Sequence, residues 1–396
     1  MKTNQVYFSM SLNRFFFILF LFLLPTQFGK HFFFDFSYLS GIRVDYLAPT
    51  LYLSDLVFFV LLIINIKKIK FLFNDRRLFL FIFFLFLNLL FAQNKFLATY
   101  SYLRIIEFIL VFFLFKKSRL KAGDILWPLV LSSFIQFILV FGQLITRHSL
   151  GGIFYFLGER YFHLSTPGIA KASFFDVEFL RGYGSFSHPN SLAGFFLLLY
   201  FFVLTSKKFN KLFLLKNVFL LIATLLILFS FSKIAIISFF ILNTLYLILY
   251  TKEHCPLCLV AKLIVFLVLG FLFLSAKTDP LTLEKRVYFL RNSFLIIRSN
   301  FFFGIGAGCY LLAQNKFVQP YLDVINQPVH NIFLLFFAQW GLISFGFFSL
   351  SFSWLKKVFK KNYFLFLVII FTGLSDHYWL SLVQNFLLTA VIFGLL

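Results

Sequence analysis

Acidic residues are scarce in this chain. Fourteen Asp and Glu stand against 36 Lys and Arg, and charged residues of both signs make up only 13% of its 396 residues. With 61% hydrophobic residues and 69 Phe, a soluble domain of this length has no way to hide its apolar surface, whereas hydrocarbon accepts it freely. Cysteine is nearly missing, with three in all. Cys255 and Cys258 form a Cys-x-x-Cys beside His254 in a joint expected on the inner side, with Cys309 expected on the opposite side. A zinc site needs four ligands, so inert reduced thiols are the expectation and no structural disulfide is expected. Internal repeats, low-complexity linkers and any separate soluble domain are absent too, and residues 1–396 read as a single integral membrane domain.

What the chain has in abundance is apolar runs long enough to cross a bilayer, separated by short polar joints. They fall at about 14–28, 51–66, 77–93, 96–115, 125–145, 190–206, 213–231, 234–250, 259–275, 330–352, 362–375 and 379–396. The expected fold is therefore all-α, a polytopic protein of about twelve transmembrane helices. The first run follows Lys2 and Arg14 and has no small-residue cleavage site after it, so it reads as a retained anchor.

The net charge of +22 would suggest nucleic acid in a soluble protein, but here the cations punctuate the apolar runs. Clusters sit at Lys67, Lys68, Lys70, Arg76 and Arg77; at Lys116, Lys117, Arg119 and Lys121; at Lys207, Lys208, Lys211 and Lys216; and at Lys356, Lys357, Lys360 and Lys361. An even number of runs separates successive clusters. The positive-inside tendency places all four in the cytoplasm, with both termini inside, and excludes nucleic acid as the partner. The bilayer is the partner instead.

The two longest joints, 146–187 and 276–329, then face outward. The second holds Lys277, Lys285, Arg286, Arg291, Arg298 and Lys316 against Asp279, Glu284 and Asp323. A basic excess on the outer side points to an anionic ligand at the membrane boundary. Within it, residues 282–298 have helical apolar spacing, with Arg291 and Arg298 seven apart on one face. Two readings stay open for this helix: an amphipathic segment on anionic headgroups, or a basic face for pyrophosphate, which guanidinium forks suit. Gly304-Ile305-Gly306-Ala307-Gly308 follows, a turn or close backbone approach by default, since no strand precedes it. His330 opens the tenth run, where an imidazole is suited to taking a proton near neutral pH. His188 reads as a cap before Pro189, and Arg181 as better placed to face ligand. Arg104 and Glu107, three apart in the fourth run, are either mutually neutralised or functional. Asp376 and His377, beside Tyr378 and Trp379, either join an outer site or form an interfacial belt.

Several segments together resemble the O-antigen ligase/polymerase family. The family's Arg-x-x-Gly-x-Phe-x-x-Pro-Asn entry into a span is matched at Arg181, Gly184, Phe186, Pro189 and Asn190, and a Ser-Arg pair is matched as Ser232-Lys233. An Arg-led segment runs into Gly-x-Gly-x-Gly from Arg286 to Gly308. His330-Asn331 follows, with Trp340-Gly341, then Leu374 to Trp379 and Gln384. The match covers runs six to twelve; runs one to five agree only in layout. Lys233 keeps the charge of the family's arginine without its bidentate fork.

The resemblance implies a membrane glycosyltransferase of type C architecture in the cytoplasmic membrane, with its site facing outward. It would move a glycan from undecaprenyl pyrophosphate to a hydroxyl of a glycan, lipid A-core or protein acceptor. It also implies His330 as the catalytic base, with Arg286, Lys233, Arg181, Arg291 and Arg298 on the pyrophosphate and Asn331, Asn190, Gly304 and Gly306 in support. Neither cofactor nor metal is required, and the outer joints hold no evident carboxylate cluster for a metal. Ligase, polymerase and protein-glycosylating versions share these motifs. From another class, a lipid-linked sugar flippase would need matched halves with broken helices, and no such symmetry is present.

Overall fold

The computed structural model describes residues 2–69, 76–174, 177–250, 256–277, 282–317 and 327–396. Cys255, Asp279 and Asp323 lie outside them. The described chain is mostly helical. Helices α1 (Lys2–Leu23), α2 (Leu53–Ile69), α3 (Arg76–Leu90), α4 (Lys95–Lys117) and α5 (Ala122–Thr146) precede the first long joint. Helices α6 (Pro189–Thr205), α7 (Phe213–Phe229), α8 (Lys233–Tyr250) and α9 (Pro256–Leu274) lie between the two long joints. The amphipathic α10 (Thr282–Ser299) and short α11 (Tyr310–Gln314) come next, then α12 (Ile332–Trp340), α13 (Ile343–Lys361), α14 (Tyr363–Gly373), α15 (Tyr378–Ser381) and α16 (Val383–Leu395).

Each apolar run carries a helix, but their lengths differ from the even series that hydropathy suggests. Among the described residues, four helices are long and apolar enough to cross a membrane, or five if one bent pair counts as a single span; shorter apolar helices occupy other runs. The bent pair is α12 and α13, turned by 117°, where the sequence reads one span over 330–352. The bend sits at Gly341, whose φ of +55° suits glycine. Apolarity continues unbroken through Trp340 to Leu350, so hydropathy carries no mark of the break.

The joint between α1 and α2 departs from an all-helical fold. It builds two small antiparallel pairs, β1 (Gly29–His31) with β4 (Thr50–Tyr52), and β2 (Tyr38–Leu39) with β3 (Ile42–Arg43). A third hairpin, β5 (Lys171–Phe174) with β6 (Val177–Leu180), lies in the first long joint. Strands of two to four residues are too short to show alternation.

Helix α6 threads the middle of the molecule, and its residues from Pro189 to Val203 are buried. The main apolar core forms around it from α1, α2, α4, α5, α7, α8, α14 and α16. A second core joins α10, α11 and α12 to Leu39, Val44, Leu47 and Leu97 at one end of the bundle. The two long joints share that end: Ser173 and Lys277 exchange backbone hydrogen bonds of 3.0 Å in both directions. The basic joints gather at the other end, where Lys116 lies within electrostatic reach of Lys117, Lys361, Lys357 and Arg77.

Two polar clusters brace the bundle. Arg104 on α4 donates to both oxygens of Asp55 on α2, at 2.9 and 2.8 Å, and to Glu107 at 2.6 Å. It also donates to the Thr50 carbonyl. The pair seen in the sequence is thus a triad, in which one guanidinium holds two carboxylates out of water and Glu107 Oε1 is left without a hydrogen-bond partner. Elsewhere Asn88 on α3 donates to the carbonyls of Phe303 and Gln339, at 2.7 and 2.9 Å, and accepts from the Ala307 amide at 3.1 Å.

That second cluster explains the glycine turn. Ile305 and Gly306 donate to Ala338 and Gln339 at 3.1 Å, and Gly304 donates to Asn300 at 2.9 Å. The amides of residues 304 to 307 are all spent on protein acceptors, so the turn is a close backbone approach and not a phosphate cradle. Gly304 has φ +68°, and a Cβ there would run into the Gln339 carbonyl. Gly304→Ala is expected to destabilise the protein by about 1–2 kcal/mol from the left-handed backbone, plus about 1–3 kcal/mol of overpacking. Thermal unfolding in detergent, against a Gly123→Ala control in open surroundings, would show the loss.

Candidate functional site

At the joint-rich end, the start of α6, the start of α12 and the α14–α15 connection meet around one carboxylate. Asn331 caps α12 by accepting from the Phe333 and Leu334 amides and ties the helix to α14 by donating to the Leu374 carbonyl at 3.1 Å. His188 caps α6, accepting from the Asn190 amide at 3.1 Å, with Pro189 at the first helical position. These caps hold His330 and Asn190 on either side of Asp376.

Asp376 is buried and fully engaged. Its Oδ2 accepts from Asn190 Nδ2 at 2.8 Å, and its Oδ1 accepts from the His377 amide at 2.8 Å. His330 Nδ1 faces Oδ1 at 3.7 Å. That is an ion-pair approach rather than a hydrogen bond, and Nδ1 has no other partner. Burial alone would raise the carboxyl group's pKa. The facing His330, with His377 and His188 behind it, outweighs burial and holds Asp376 well below the usual carboxylate range. Asp376 is therefore drawn toward its charged form, placed to meet positive charge.

The neighbouring imidazoles are held neutral. Burial, then the Arg181 charge, brings His188 down to about 3. Burial, against the pull of Asp376, brings His377 down to about 4, and its Nδ1 lies 2.6 Å from Ser381 Oγ. His330 packs between His377 and Phe289 of α10, with ring centroids 5.2 and 5.7 Å away. Its Nε2 lies 3.2 Å from Gln327 Oε1. Turning that amide by half a turn exchanges oxygen for nitrogen at similar fit. Nε2 then becomes an acceptor, while Nδ1–H points at Asp376.

The cations divide into two groups. Arg181 is buried and donates to the Ser230 carbonyl at 2.8 Å and to Asn190 Oδ1 at 2.6 Å, so it is linked through Asn190 to Asp376. Burial first, then the Arg286 charge, draws its guanidinium down to about 10, against the opposite effect of Tyr183 and Asp376. It stays charged at neutral pH. Arg286 shares the inward stripe of α10 with buried Phe289, Ser293 and Ile296, at the i, i+3, i+7, i+10 positions of one face. Its Nε is buried without a partner.

Arg291 and Arg298 occupy the exposed side of α10, with Phe294 and Leu295. Five residues separate Arg291 from Arg286, a rotation of about 140° around the helix. The shared face of Arg291 and Arg298 therefore points away from His330. Lys233 is exposed at the first turn of α8, reached through Ser230, the residue that accepts from Arg181. The fold thus brings together His330, Arg181, Arg286 and Asn190, with Asn331, Gly304 and Gly306 as framework. It adds Asp376, His377, His188 and Gln327 around them. The sequence left Asp376 open between an outer site and an interfacial belt; its partner Asn190 lies 186 positions away.

A cleft of about 2310 Å³ opens beside this cluster. It touches His188, Gln327 and Tyr310 near the site and descends along α4 from Leu97 to Lys116, between α3, α13 and α16. Its lower walls are apolar: Phe108, Phe112, Phe113, Phe347, Trp354 and Phe386. His330, Asp376 and His377 each offer one ligand atom within 4.8 Å of the others. Ligands about 2.1 Å from a tetrahedral ion lie about 3.4 Å apart. Asp376 and His377 Nδ1 are moreover already hydrogen-bonded within the protein, to Asn190 and Ser381, so the trio reads better as a carboxylate facing the His330 imidazole than as an ion site.

Comparison with known families bears on this arrangement. Residues 218–349 match the O-antigen ligase family model. The resemblance read from the motifs holds over that third of the chain, which contains Lys233, Arg286, the glycine turn and His330. Arg181, Asn190 and Asp376 lie outside it and join the cluster through the fold. No curated protein matches the chain.

Proposed function

We propose that this protein is an O-antigen ligase-like membrane glycosyltransferase. In this reading it transfers a glycan from undecaprenyl pyrophosphate to an acceptor hydroxyl on the outer side of the cytoplasmic membrane, in surface polysaccharide synthesis. The observation that carries the reading is the meeting of an imidazole–carboxylate pair, His330 and Asp376, with two guanidinium groups, Arg181 and Arg286, inside and beside the stretch that matches the family.

His330 Nε2 takes the proton of the acceptor hydroxyl as its oxygen bonds to the anomeric carbon. Gln327, which borders the cleft, yields its place to that hydroxyl. Asp376 steadies the imidazolium through Nδ1–H, as a buried carboxylate does for a catalytic histidine. The anomeric C–O bond breaks on the opposite side, and the electron pair leaves with the pyrophosphate. Its charge is met by Arg286 and Arg181, with Lys233 extending toward the outer phosphate. Attack opposite the leaving group inverts the anomeric centre. Arg291 and Arg298, on the outer stripe of α10, take the other role open to this helix and rest on anionic headgroups.

The cleft favours transfer over a flippase. A path for a sugar chain needs polar lining from end to end, whereas the walls below Arg104 are mostly apolar, with Phe108, Phe112, Phe113 and Phe386 among them, and suit a polyprenyl tail.

The test is transfer in proteoliposomes with a lipid-linked glycan donor and a defined acceptor, the product read by NMR. An inverted linkage is expected, with rates unchanged in excess chelator. A retained configuration, or loss of activity on chelation restored by a divalent ion, would replace the His330–Asp376 relay with another mechanism.

A further inference from the structure

The stretch that matches the family, 218–349, supplies His330 and Arg286 but not the outer mouth of the cleft. Two segments outside it border that mouth, the α1–α2 joint and residues 158–161. Tyr46 of the joint sets its ring edge-on to His377, with centroids 5.6 Å apart. The joint thus reaches the His330 imidazole through His377, whereas α10, which carries Arg286, reaches it through Phe289. With the pyrophosphate on the α10 arm, the His377 arm is left for the acceptor. The mouth on that arm mixes aromatic rings with groups that both donate and accept. Arg43 pairs with Asp45 at 3.3 Å and lies over the Phe33 ring, 4.9 Å from its centroid. His31 stacks on the same ring. Burial, then Arg43 and Arg160 against the pull of Asp45, lower its pKa, so it stays neutral. Arg160 donates to the Ser187 carbonyl at 3.2 Å. The Ser187 Oγ is buried with no partner among the described residues, and buried hydroxyls are normally hydrogen-bonded. Tyr161, 85% exposed, adds an open ring.

We propose that this mouth is the acceptor subsite and that it takes the sugar end of a glycan in preference to a protein side chain, an inference that rests on the transferase reading above. The attacking hydroxyl lies beside Tyr46 and Gln327, within reach of His330, and the preceding sugars run outward past Arg160 and Tyr161. A small anion finds the Arg43 charge already met by Asp45, and an apolar chain strands the polar groups of the wall. A sugar suits both halves of this lining. Its C–H face rests on an electron-rich ring, and its hydroxyls donate and accept in turn. A serine or threonine acceptor brings one hydroxyl to His330 and gives the outer groups nothing to hold.

The first measurement uses the full chain in detergent, without donor, and the surface glycan released from the source cells by mild acid. Saturation-transfer NMR is expected to show the glycan bound through its ring protons. Arg160→Ala should weaken binding by about 10-fold, the cost of a hydrogen bond to a charged group. Tyr161→Ala should weaken it by about 3-fold, and Tyr161→Phe should restore it. Both side chains are exposed, so the variants should fold as the parent does. No binding, binding unchanged in both alanine variants, or displacement by a serine-containing peptide overturns the proposal. Transfer in proteoliposomes then separates the subsite from the reaction. A raised acceptor KM in both alanine variants, with kcat and donor KM unchanged, supports the subsite; an unchanged acceptor KM overturns it. Glycan held at this mouth with no transfer by the parent protein supports the sugar site and overturns the transferase reading.

Discussion

His330→Ala is expected to cut glycan transfer by about 10²–10⁴-fold, the range over which general base catalysis contributes, while the donor is still bound. The loss should appear in kcat, because in the proposed mechanism the imidazole acts on the acceptor's proton and not on the pyrophosphate. Asp376→Asn separates proton transfer from mere positioning. The amide keeps the shape and the hydrogen bond from the His377 amide but cannot neutralise an imidazolium, so kcat falls without a matching rise in donor KM. A stability change accompanies it, since Asp376 also accepts from Asn190. Asn190→Ala controls for this: it removes the same hydrogen bond but leaves the carboxylate charged. Transfer that survives His330→Ala in a correctly inserted protein would remove the imidazole from the mechanism, whatever Asp376 does.

The sequence revealed this site unevenly, for physical reasons. Apolar runs mark helices because hydrocarbon accepts nothing else across its width, and α10 showed through its helical spacing alone. That spacing also predicts that Arg291 and Arg298 share a face, and they do. Which face turns inward depends on what α10 packs against, here Phe289 beside His330. The break at Gly341 left no trace in hydropathy because both arms are apolar; it is set by close contact with Gly304 and the Phe301 and Phe302 backbone. Arg104 and Glu107 were legible as neighbours on one helix, but Asp55, which completes the triad, comes from another. Asp376 is the same case at longer range. A residue's part in a relay lies in its partners, and those were assembled from α6, α12 and the α14–α15 connection.

Arg286→Ala is expected to slow transfer by about 10²–10³-fold, the usual cost of losing one donor to a developing negative charge. Its effect on stability should have the opposite sign to that of an ordinary core substitution. The Arg286 Nε is buried without a partner, and an unsatisfied buried donor costs the folded state about 1–3 kcal/mol. The charge is also placed where it acts on Arg181, so two like charges act on each other, offset in part by Asp376, when no ligand is bound. Removing one relieves both penalties. The variant should therefore melt at the same temperature as the parent or higher while losing activity, the trade expected where a site is built for its ligand at the expense of the fold. Arg286→Lys should fall between the two in rate, since it keeps the charge and loses the fork. Donor analogues ending in pyrophosphate should stabilise the parent protein strongly and the alanine variant weakly. A parent that melts no higher with pyrophosphate than without it would mean that Arg181 and Arg286 face something other than the leaving group.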